Sequence, residues 1–470
     1  MRFPLAALVP ALALAFPISA SAASTRAFAL TSDFSTGSLS VVNLDTRAVA
    51  IDVASVGPDA VARWHDGLLY VVNRFGADNI QVIDPAQGYS TVRQFSVGNG
   101  SNPQDIAFVS STKAYVTRYV SSDLLIVDPS SPSGQPFSTI SLAAFADADG
   151  KPEMARMIRV DRWLFVACQR LDVNFQPNNP SMIVVVDTQA DTVVDVDPQQ
   201  AGKQAILLAG RNPTTTFAFD RAQSRLLIGN AGFFGVPDGG IEAIDPIGLR
   251  SLGIVATSAA LGGDASDVVW HTPTHAYATI FSGNTNQLVT WNPTTGAKLA
   301  TVVSASGGFS LPDMELNDRG ELYLCRNTIT PQEPPGLLVI DVTNDGLIGQ
   351  AIGTGLPPVY VTFDQATDIV TEVGSAAAGL ALAPVWPNPA RGVARLGFTL
   401  EREGEVRLEA FDVAGRRIRE IARGRYPAGA TRIDWRLEDA NGVALVAGVY
   451  FVRLRVGGAV ATRRFSVASD

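Results

Sequence analysis

Ten charged side chains recur at comparable places along this 470-residue sequence and are its best candidates for binding chemistry. The basic members are Arg74, Arg118, Arg156, Arg170 and Arg326, and the acidic members are Asp59, Asp105, Glu153, Asp267 and Asp313. Guanidinium groups bind carboxylates and phosphates through two parallel hydrogen bonds. If the ten side chains meet in one ring, they can hold an anionic or polar ligand. Alternatively, they pair with one another and only pin neighbouring parts of the fold together.

One short acidic segment offers oxygen ligands for a metal ion. Asp147, Asp149 and Glu153 place three carboxylates within seven residues, which resembles a fragment of a calcium-binding loop. The segment lacks the spacing of a complete EF-hand, so an ordinary Asp-Gly turn is the alternative. The sequence indicates no other cofactor.

Residues typical of catalytic motifs are scarce. The three histidines, His65, His271 and His275, form no His-x-x-x-His pair, and the sequence contains neither a Gly-x-Ser-x-Gly elbow nor a Walker-type loop. Cys168 and Cys325 occupy equivalent places in two repeats and are expected to be buried apolar residues rather than a disulfide pair. The sequence therefore favours a protein that is not an enzyme.

A repeated unit of about 40–50 residues must position these side chains. In seven copies an apolar strand ends in Asp or Asn before a turn, at Asp45, Asp84, Asp128, Asp187, Asp245, Asn292 and Asp341. Four short strands per unit, with almost no helical periodicity, predict an all-β fold, a seven-bladed β-propeller over residues 23–372. The chain enters with the second strand of a unit at Ala27 and leaves with a first-type strand at residues 358–363. One blade shared by both ends would close the ring.

The repeats resemble a known family. Residues 69–73, 80–84, 95–98 and 102–108 read LYVVN, IQVID, FSVG and NPQDIAF. This succession resembles the YVTN repeat of bacterial extracellular propellers over roughly residues 27–370. The resemblance implies a secreted or surface propeller, in a family that includes binding proteins.

The chain changes character at about residue 385. From Val385 onward there are 15 Arg, no Lys and 10 acidic residues, whereas the whole chain carries a net charge of −9. Small residues at 373–384 predict a linker, and regular strand patterns at 385–470 predict a small Ig-like β-sandwich. The motifs WPNPAR (386–391), FDVAGR (411–416) and AGVYFVRL (447–454) resemble the Ig-like domain of flagellar hook-capping proteins and the C-terminal sorting domain of type IX secretion. That resemblance implies a module for sorting or attachment.

The first 22 residues read as a signal peptide, with Arg2, an apolar run at residues 5–16 and small residues at 20–22. No later run reaches the roughly 20 apolar residues that a membrane helix needs. We therefore expect an exported protein, outside the cell or at its surface, with the periplasm as an alternative. The acidic net charge argues against nucleic acid as a partner.

Together these patterns favour an exported binding module. Its partner is expected to be an extracellular ligand, glycan or protein, while the C-terminal domain contacts outer-membrane secretion machinery or a cell-surface partner. The alternative is a propeller hydrolase of the lactonase type that uses an acidic channel mouth, with or without a metal ion.

Overall fold

The computed structural model of the chain describes residues 23–365 apart from 136, 329 and 331–332, residues 369–370, and residues 380–468 apart from 384, 401, 413–415 and 457–458. The predicted signal peptide and residues 373–379 and 384 of the predicted linker lie outside the described residues.

Seven sheets form the first part of the molecule; six of them are antiparallel and four-stranded, and the fourth carries two further short strands on a four-stranded antiparallel core. Strands are numbered in chain order. Blade 1 contains β1 (Arg26–Ser32), β2 (Gly37–Asn43), β3 (Val49–Val56) and, innermost, β29 (Pro358–Phe363). Blade 2 contains β4 (Ala60–His65), β5 (Leu68–Asn73), β6 (Asn79–Asp84) and β7 (Ser90–Ser96). Blade 3 contains β8 (Pro103–Ser110), β9 (Lys113–Arg118), β10 (Asp123–Val127) and β11 (Ser138–Ser141).

The remaining blades repeat this order. Blade 4 contains β12 (Met154–Val160), β13 (Trp163–Cys168), β14 (Met182–Asp187) and β15 (Thr192–Val193), with β16 (Ile206–Leu207) added on β14. Blade 5 contains β17 (Ala218–Asp220), β18 (Arg225–Asn230), β19 (Gly240–Asp245) and β20 (Arg250–Thr257). Blade 6 contains β21 (Asp264–Thr272), β22 (His275–Ser282), β23 (Thr285–Trp291) and β24 (Lys298–Ser306). Blade 7 contains β25 (Met314–Leu316), β26 (Glu321–Arg326), β27 (Gly336–Asp341) and β28 (Gly346–Leu347).

Helical structure is limited to three single turns in the described residues. The α-helix α1 spans Ser258–Leu261, and 3₁₀ turns span Pro85–Gln87 and Ala143–Phe145. Asp84 caps the first of these 3₁₀ turns by accepting a hydrogen bond from the backbone of Ala86, which is the strand-ending role that the repeat pattern predicts for Asp before Pro.

The two ends of the propeller sequence share one blade. β29 pairs antiparallel with β1, with Ala27 opposite Phe363, so the last strand completes the sheet that the first strand begins. This closes the ring and confirms the prediction of a seven-bladed all-β propeller. Closure leaves no free inner edge that could pair with another chain.

The blades pack through apolar side chains of their second and third strands. β13 and β27, for example, bury five of their six residues, and Tyr115, Tyr277 and Tyr323 are fully buried between blades. The fourth strand β3 is more open, with four of its eight residues exposed, because fourth strands form the rim. Each large side chain buried in this way contributes about 1.5–3 kcal/mol to folding.

The strand order gives the disc two distinct faces. Because neighbouring strands in each blade are antiparallel, the loops from second to third strand and from fourth strand to the next blade emerge on one face. We call it the upper face. The loops from first to second strand and from third to fourth strand emerge on the lower face.

The C-terminal strands form a sandwich, as predicted, around one apolar core. They are β31 (Leu380–Leu382), β32 (Trp386–Arg391), β33 (Val393–Leu400), β34 (Gly404–Asp412), β35 (Arg417–Tyr426), β36 (Gly429–Arg436), β37 (Gly448–Val456) and β38 (Ala459–Val467). β33 pairs with β31, β32 and β36, and the order β38-β37-β34-β35 forms the second sheet. Phe398 and Leu396 from the first sheet meet Leu408 and Val452 from the second. The first of these strands, β31, begins inside the segment predicted as linker.

This sandwich contacts the lower face. The Arg250 guanidinium lies 3.4 Å from the centroid of the Trp386 ring, and Ala383 joins the apolar cluster of Ile247 and Leu249 in the β19–β20 loop. A further short strand, β30 (Ile369–Val370), pairs with the lower end of β12. The upper face is therefore opposite the C-terminal module. Among the described residues, no helix has the length and apolar character needed to cross a membrane.

Candidate functional site

Three of the predicted carboxylates join neighbouring blades around the channel. Asp105 Oδ2 accepts a hydrogen bond from the Met157 backbone N–H at 2.9 Å. Asp267 Oδ2 accepts from Met314 N–H at 3.1 Å, and Asp313 Oδ2 accepts from Val361 N–H at 2.8 Å. In each case the donor belongs to the first strand of the next blade. Each of these carboxylates therefore connects its own blade to the next one.

Asp105 makes the most complete of these contacts. Its two oxygens also accept from Arg63 Nε and Nη2, both at 2.9 Å. Both side chains are buried, with Asp105 fully inaccessible to solvent. Since Arg63 lies on β4 of blade 2, one carboxylate connects blades 2, 3 and 4. The same guanidinium donates from Nη1 to the Tyr360 hydroxyl of blade 1 at 3.2 Å.

Asp267 and Asp313 form a second buried acidic pair on the other side of the ring. Thr216 Oγ1 donates to Asp267 Oδ1 at 2.7 Å, so this carboxyl bridges blades 5, 6 and 7. Burial raises the pKa of both carboxyls, and the negative charge of Asp267 adds to the increase at Asp313. Arg156 acts in the opposite direction on both groups. Burial therefore disfavours the ionised form of both carboxyls.

Strand irregularities direct several of these side chains. The β8–β9 register shifts between Pro103 and Asp105, the β21–β22 register shifts between Ala265 and Asp267, and the β12–β13 register shifts around Arg156. A bulge re-aims the side chain that it carries. The same device therefore sets the direction of a charged side chain in blades 3, 4 and 6.

Three of the predicted arginines bind carbonyl groups near their own loops. Arg118 donates to the carbonyls of Asp123, at 3.0 Å from Nη2, and Val97, at 3.3 Å from Nη1. Arg170 donates to the Pro180 carbonyl at 2.8 Å, and Arg326 donates to the Pro334 carbonyl at 3.0 Å. These contacts hold the upper loops in shape, so these three side chains do not join the proposed ring of paired charges.

Arg74, Asp59 and Arg156 meet at the upper end of the channel around a residue that sequence reasoning missed, Gln104. Arg74 forms an ion pair with Asp59 through Nη2 and donates from Nη1 to Gln104 Oε1 at 3.1 Å. Arg156, on blade 4, donates from Nη1 to the Gln104 carbonyl at 3.0 Å. We call Asp59, Arg74, Gln104 and Arg156, with Tyr360 beneath them, the channel mouth.

The channel mouth carries more positive than negative charge. Desolvation and the nearby charge of Arg156 lower the pKa of Arg74, whereas Asp59 raises it. Among the described residues, no carboxylate lies within 4.0 Å of the Arg156 guanidinium, which packs 6.0 Å from the Tyr360 ring centroid. Arg74 Nε is buried without a hydrogen-bond partner in the described structure. Two guanidinium groups therefore face one carboxylate.

Gln104 and Tyr360 could not be assigned to the site from sequence because their relevance depends on ring closure. Arg63 could have been noticed in the sequence, since it interrupts the otherwise apolar start of strand β4. A charged side chain in a buried strand requires a partner, and the structure supplies Asp105.

The acidic segment predicted as a weak metal site forms a turn. Asp149 Oδ1 accepts from Lys151 N–H at 2.9 Å, and Asp147 Oδ2 accepts from Asn179 Nδ2 at 2.5 Å. Glu153 is buried, and its backbone is left-handed with φ 46°. Its Oε2 atom has no hydrogen-bond partner among the described residues. Burial, reinforced by Asp149 and Asp147, raises the pKa of Glu153 to about 8. No group of three or more His, Cys, Asp or Glu side chains in the described part of the chain is arranged to hold a metal ion.

The cysteines are buried and unpaired, as predicted. Burial raises the pKa of Cys168 to about 12 and that of Cys325 well above its usual range. Two of the histidines pack against or pair with a neighbouring side chain. His65 stacks on Phe108 at 4.1 Å, and His275 Nε2 lies 2.9 Å from Asp345 Oδ1.

Comparisons with known proteins identify the fold but no family. No family model matches the sequence, and a search of curated proteins finds no match. Among solved structures, a putative 6-phosphogluconolactonase from Bacteroides fragilis aligns with a TM-score of 0.51 at 13% identity, over 74% of this chain and 99% of that one.

Two further structures are more distant. The Dos1 propeller aligns with a TM-score of 0.47 at 10% identity, over 69% of this chain and 82% of that one. AztD from Citrobacter koseri aligns with a TM-score of 0.41 at 11% identity, over 88% of this chain and 99% of that one. At these identities a likeness concerns the fold alone. The closed ring of seven sheets and the Bacteroides fragilis structure agree that this chain is a β-propeller.

Proposed function

We propose that this protein is an exported or cell-surface binding module that holds an anionic ligand at its channel mouth. The observation that carries the proposal is that Arg74 and Arg156 both donate hydrogen bonds to Gln104. Arg74 reaches the side chain of Gln104 and Arg156 reaches its backbone, at 3.1 and 3.0 Å. The two guanidinium groups come from blades 2 and 4 and converge on blade 3.

The local charge supports an anion rather than a cation. Asp59 neutralises one of the two guanidinium groups, and Asp105 is already matched by Arg63. Burial disfavours the ionised form of Asp267 and Asp313, and the pKa values of both carboxyls are raised. A carboxylate or phosphate group on a small molecule or on the end of a glycan fits two adjacent guanidinium forks.

A thermal-shift panel tests this proposal. The panel contains inorganic phosphate, sulfate, citrate, galacturonate oligosaccharides and a peptide with a free carboxyl terminus, each added to the full chain. At least one should raise the melting temperature of the wild type, since a ligand that binds only the folded state stabilises it. Arg156→Gln should abolish the shift.

Arg326→Gln provides the matched control. Arg326 lies on the same face but donates to the Pro334 carbonyl of its own loop, so its substitution should leave the ligand-induced shift intact. Equal loss in both variants, or no stabilising anion for the wild type, would overturn the proposal.

The export and attachment roles are separate parts of the proposal. They rest on the signal-like first 22 residues and on the motifs of the C-terminal sandwich. Removal of residues 380–470 should abolish surface retention in the producing cell, and N-terminal sequencing of exported protein should begin at Ala23. Unchanged retention after truncation would remove the sorting or attachment role.

A lactonase-type hydrolase is the second candidate, and the Asp267–Asp313 pair favours it. A carboxyl group with a raised pKa can act as a general acid near neutral pH. Hydrolysis of a panel of lactones and esters by the wild type, lost in Asp313→Asn, would support this reading. Because asparagine can still accept a hydrogen bond from Val361 N–H, the variant should remain folded. No hydrolysis by the wild type would exclude the hydrolases covered by that panel.

A further inference from the structure

The exposed apolar side chains of the propeller are concentrated on one face. Eight of them lie in upper loops: Phe34, Phe75, Val120, Val173, Phe175, Phe234, Val236 and Phe309. Among the described residues, the lower loops carry no exposed large apolar side chain, and the other exposed apolar residues of the propeller lie on or next to outer strands. All five exposed phenylalanines of the described chain belong to the upper set. We call these eight residues the apolar crown.

The exposure of the crown is too large to be incidental packing. Phe75 is 80% exposed and Phe34 79% exposed. Side chains of this size normally contribute to a core or an interface, and their concentration on one face is typical of an interaction surface.

Part of the crown is continuous across blades. The Phe234 ring centroid lies 5.6 Å from that of Phe281, and Phe281 lies 5.8 Å from Phe309. These rings come from blade 5, blade 6 and the connection to blade 7. They form an aromatic row that a single partner can contact.

The backbone holds several crown residues in a conformation that large side chains rarely adopt. Phe34, Phe175 and Phe309 have φ values of 66°, 57° and 63°. This left-handed conformation is energetically unfavourable for a bulky L-residue. Such outliers persist where the surrounding structure enforces them and are commonly associated with functional surfaces.

Hydrogen bonds enforce these loop conformations. Asp33 Oδ1 accepts from Ser35 N–H and Thr36 N–H at 2.9 and 2.7 Å around Phe34. Asp172 Oδ1 accepts from Gln176 N–H at 3.0 Å next to Phe175. The phenylalanines are thus presented on ordered loops, which reduces the entropy lost when a partner binds.

The same hydrogen bonds place fixed negative charges within the crown. Backbone amides lower the pKa of Asp33 and of Asp172, so both remain ionised at neutral pH. Asp238, which accepts from Phe233 N–H at 3.0 Å, adds a third carboxylate, which is exposed beside Phe234. Negative charge beside apolar rings opposes an anionic bilayer and also a second crown, but it complements a partner that has lysine or arginine next to apolar side chains.

We infer that the upper face docks a polypeptide partner through this crown, and that the contacting segment of the partner combines apolar with basic side chains. The inference extends the proposed binding role by naming a protein partner for the same face. It stands on residues outside the channel mouth, so either conclusion can fail without the other.

Peptide display tests the inference with no partner specified in advance. A random dodecapeptide library is selected on the immobilised full-length protein, and enriched peptides are resynthesised for titration. We expect enrichment in apolar and basic residues together, with no enrichment in acidic residues. Substitution of Phe75, Phe234 and Phe309 by serine should weaken binding of the enriched peptides at least tenfold, as expected for central interface aromatics.

Two control variants make the result specific. Ile51, Leu252 and Leu299 are exposed on outer strands, away from the crown. The combined substitutions Ile51→Ser, Leu252→Ser and Leu299→Ser should leave the affinity for the enriched peptides within about twofold of the wild type. Arg156→Gln should also retain peptide binding and lose only the rise in melting temperature that an added anion causes. Equal loss in the outer-strand variant, or a selection that yields acidic peptides or none, would overturn the inference.

A membrane surface and a second copy of the chain are the other possible occupants of the crown, and each would give a different result. Vesicles of phosphatidylethanolamine with phosphatidylglycerol that bind the wild type but not the triple serine variant would assign the crown to a membrane surface. Concentration-dependent self-association that the same variant abolishes would assign it to a second copy of the chain. Either result, without crown-dependent peptide binding, contradicts a separate polypeptide partner.

Discussion

Arg63 and Asp105 form a bidentate ion pair in which Nε and Nη2 each lie 2.9 Å from a carboxylate oxygen. The pair is buried beside the channel and links the first strands of blades 2 and 3, and Met157 N–H extends the contact to blade 4. A ring of sheets has few covalent connections near its axis, so contacts of this kind help to fix neighbouring blades relative to one another.

Removal of one member of this pair should be strongly destabilising. Arg63→Ala leaves the Asp105 carboxylate buried without its cation, so we expect the free energy of unfolding to fall by about 3–5 kcal/mol. Urea denaturation measures the change. Arg425→Ala, which breaks an exposed pair with Glu403, should cost at most about 1 kcal/mol. Similar losses for the two variants would contradict the structural role of Asp105.

Glu153 should make stability depend on pH. Its pKa is raised from 4.5 to about 8 in the folded protein. At a pH between these two values, the carboxyl group is protonated in the folded protein and ionised in the unfolded chain. The stabilisation from this proton is complete below about pH 4 and disappears as the pH rises to about 8. Glu153→Gln should therefore raise the melting temperature at pH 9 by on the order of a few degrees, with little difference at pH 4. An equal effect at both pH values would contradict the assignment.

Glycine in place of a left-handed phenylalanine should stabilise the propeller. At Phe34, with φ 66°, Phe34→Gly removes a backbone penalty of roughly 1–2 kcal/mol, partly offset by the greater freedom of glycine in the unfolded chain. Phe75 is exposed but has no left-handed backbone, so Phe75→Gly should be neutral or destabilising by about 1 kcal/mol. Thermal unfolding of both variants measures the contrast. Stabilisation by both substitutions, or by neither, would show that the loops do not store this strain.

The contact between Arg250 and Trp386 should couple the two parts of the chain. The guanidinium lies 3.4 Å from the ring centroid, and Arg250→Met removes its charge while it keeps most of the apolar stem. We expect a loss of about 1–2 kcal/mol in coupling, seen in calorimetry as greater separation of the sandwich and propeller transitions. Arg453→Met, in a contact with Phe411 inside the sandwich, should not separate them. Unchanged coupling after Arg250→Met would show that the apolar contact with Ile247 is sufficient.

The architecture could be predicted because its signals are local. Asp84 and its equivalents in blades 3 to 7 end strands through hydrogen bonds to nearby amides. In blade 1 this role belongs to Asn43 rather than to the predicted Asp45, because Asn43 Oδ1 accepts from the backbone of Asp45 and Thr46. Closure of the ring was also foreseeable, since β1 begins as a second strand and β29 supplies a first strand. These features depend on strand pattern and turn chemistry, which one sequence contains.

The candidate site was harder to predict because it depends on side-chain direction. Arg118 and Arg156 both occur near upper loops in the sequence, yet Arg118 bonds to nearby carbonyls while the irregular register of β12 places Arg156 at the channel mouth. Gln104 joins the site only through its neighbours in space. The sequence does show phenylalanine beside turn residues, as in Asp33-Phe34 and Phe75-Gly76. That these side chains lie on one face of the propeller is visible only in the folded structure.

The most direct test of the account is a crystal structure of the protein with the anion that gives the largest stabilisation in the thermal-shift panel. We predict electron density for that anion between the guanidinium groups of Arg74 and Arg156, beside Gln104, and no such density in Arg156→Gln crystals grown under the same conditions. An anion bound elsewhere on the molecule, with an empty channel mouth, would contradict the proposed site.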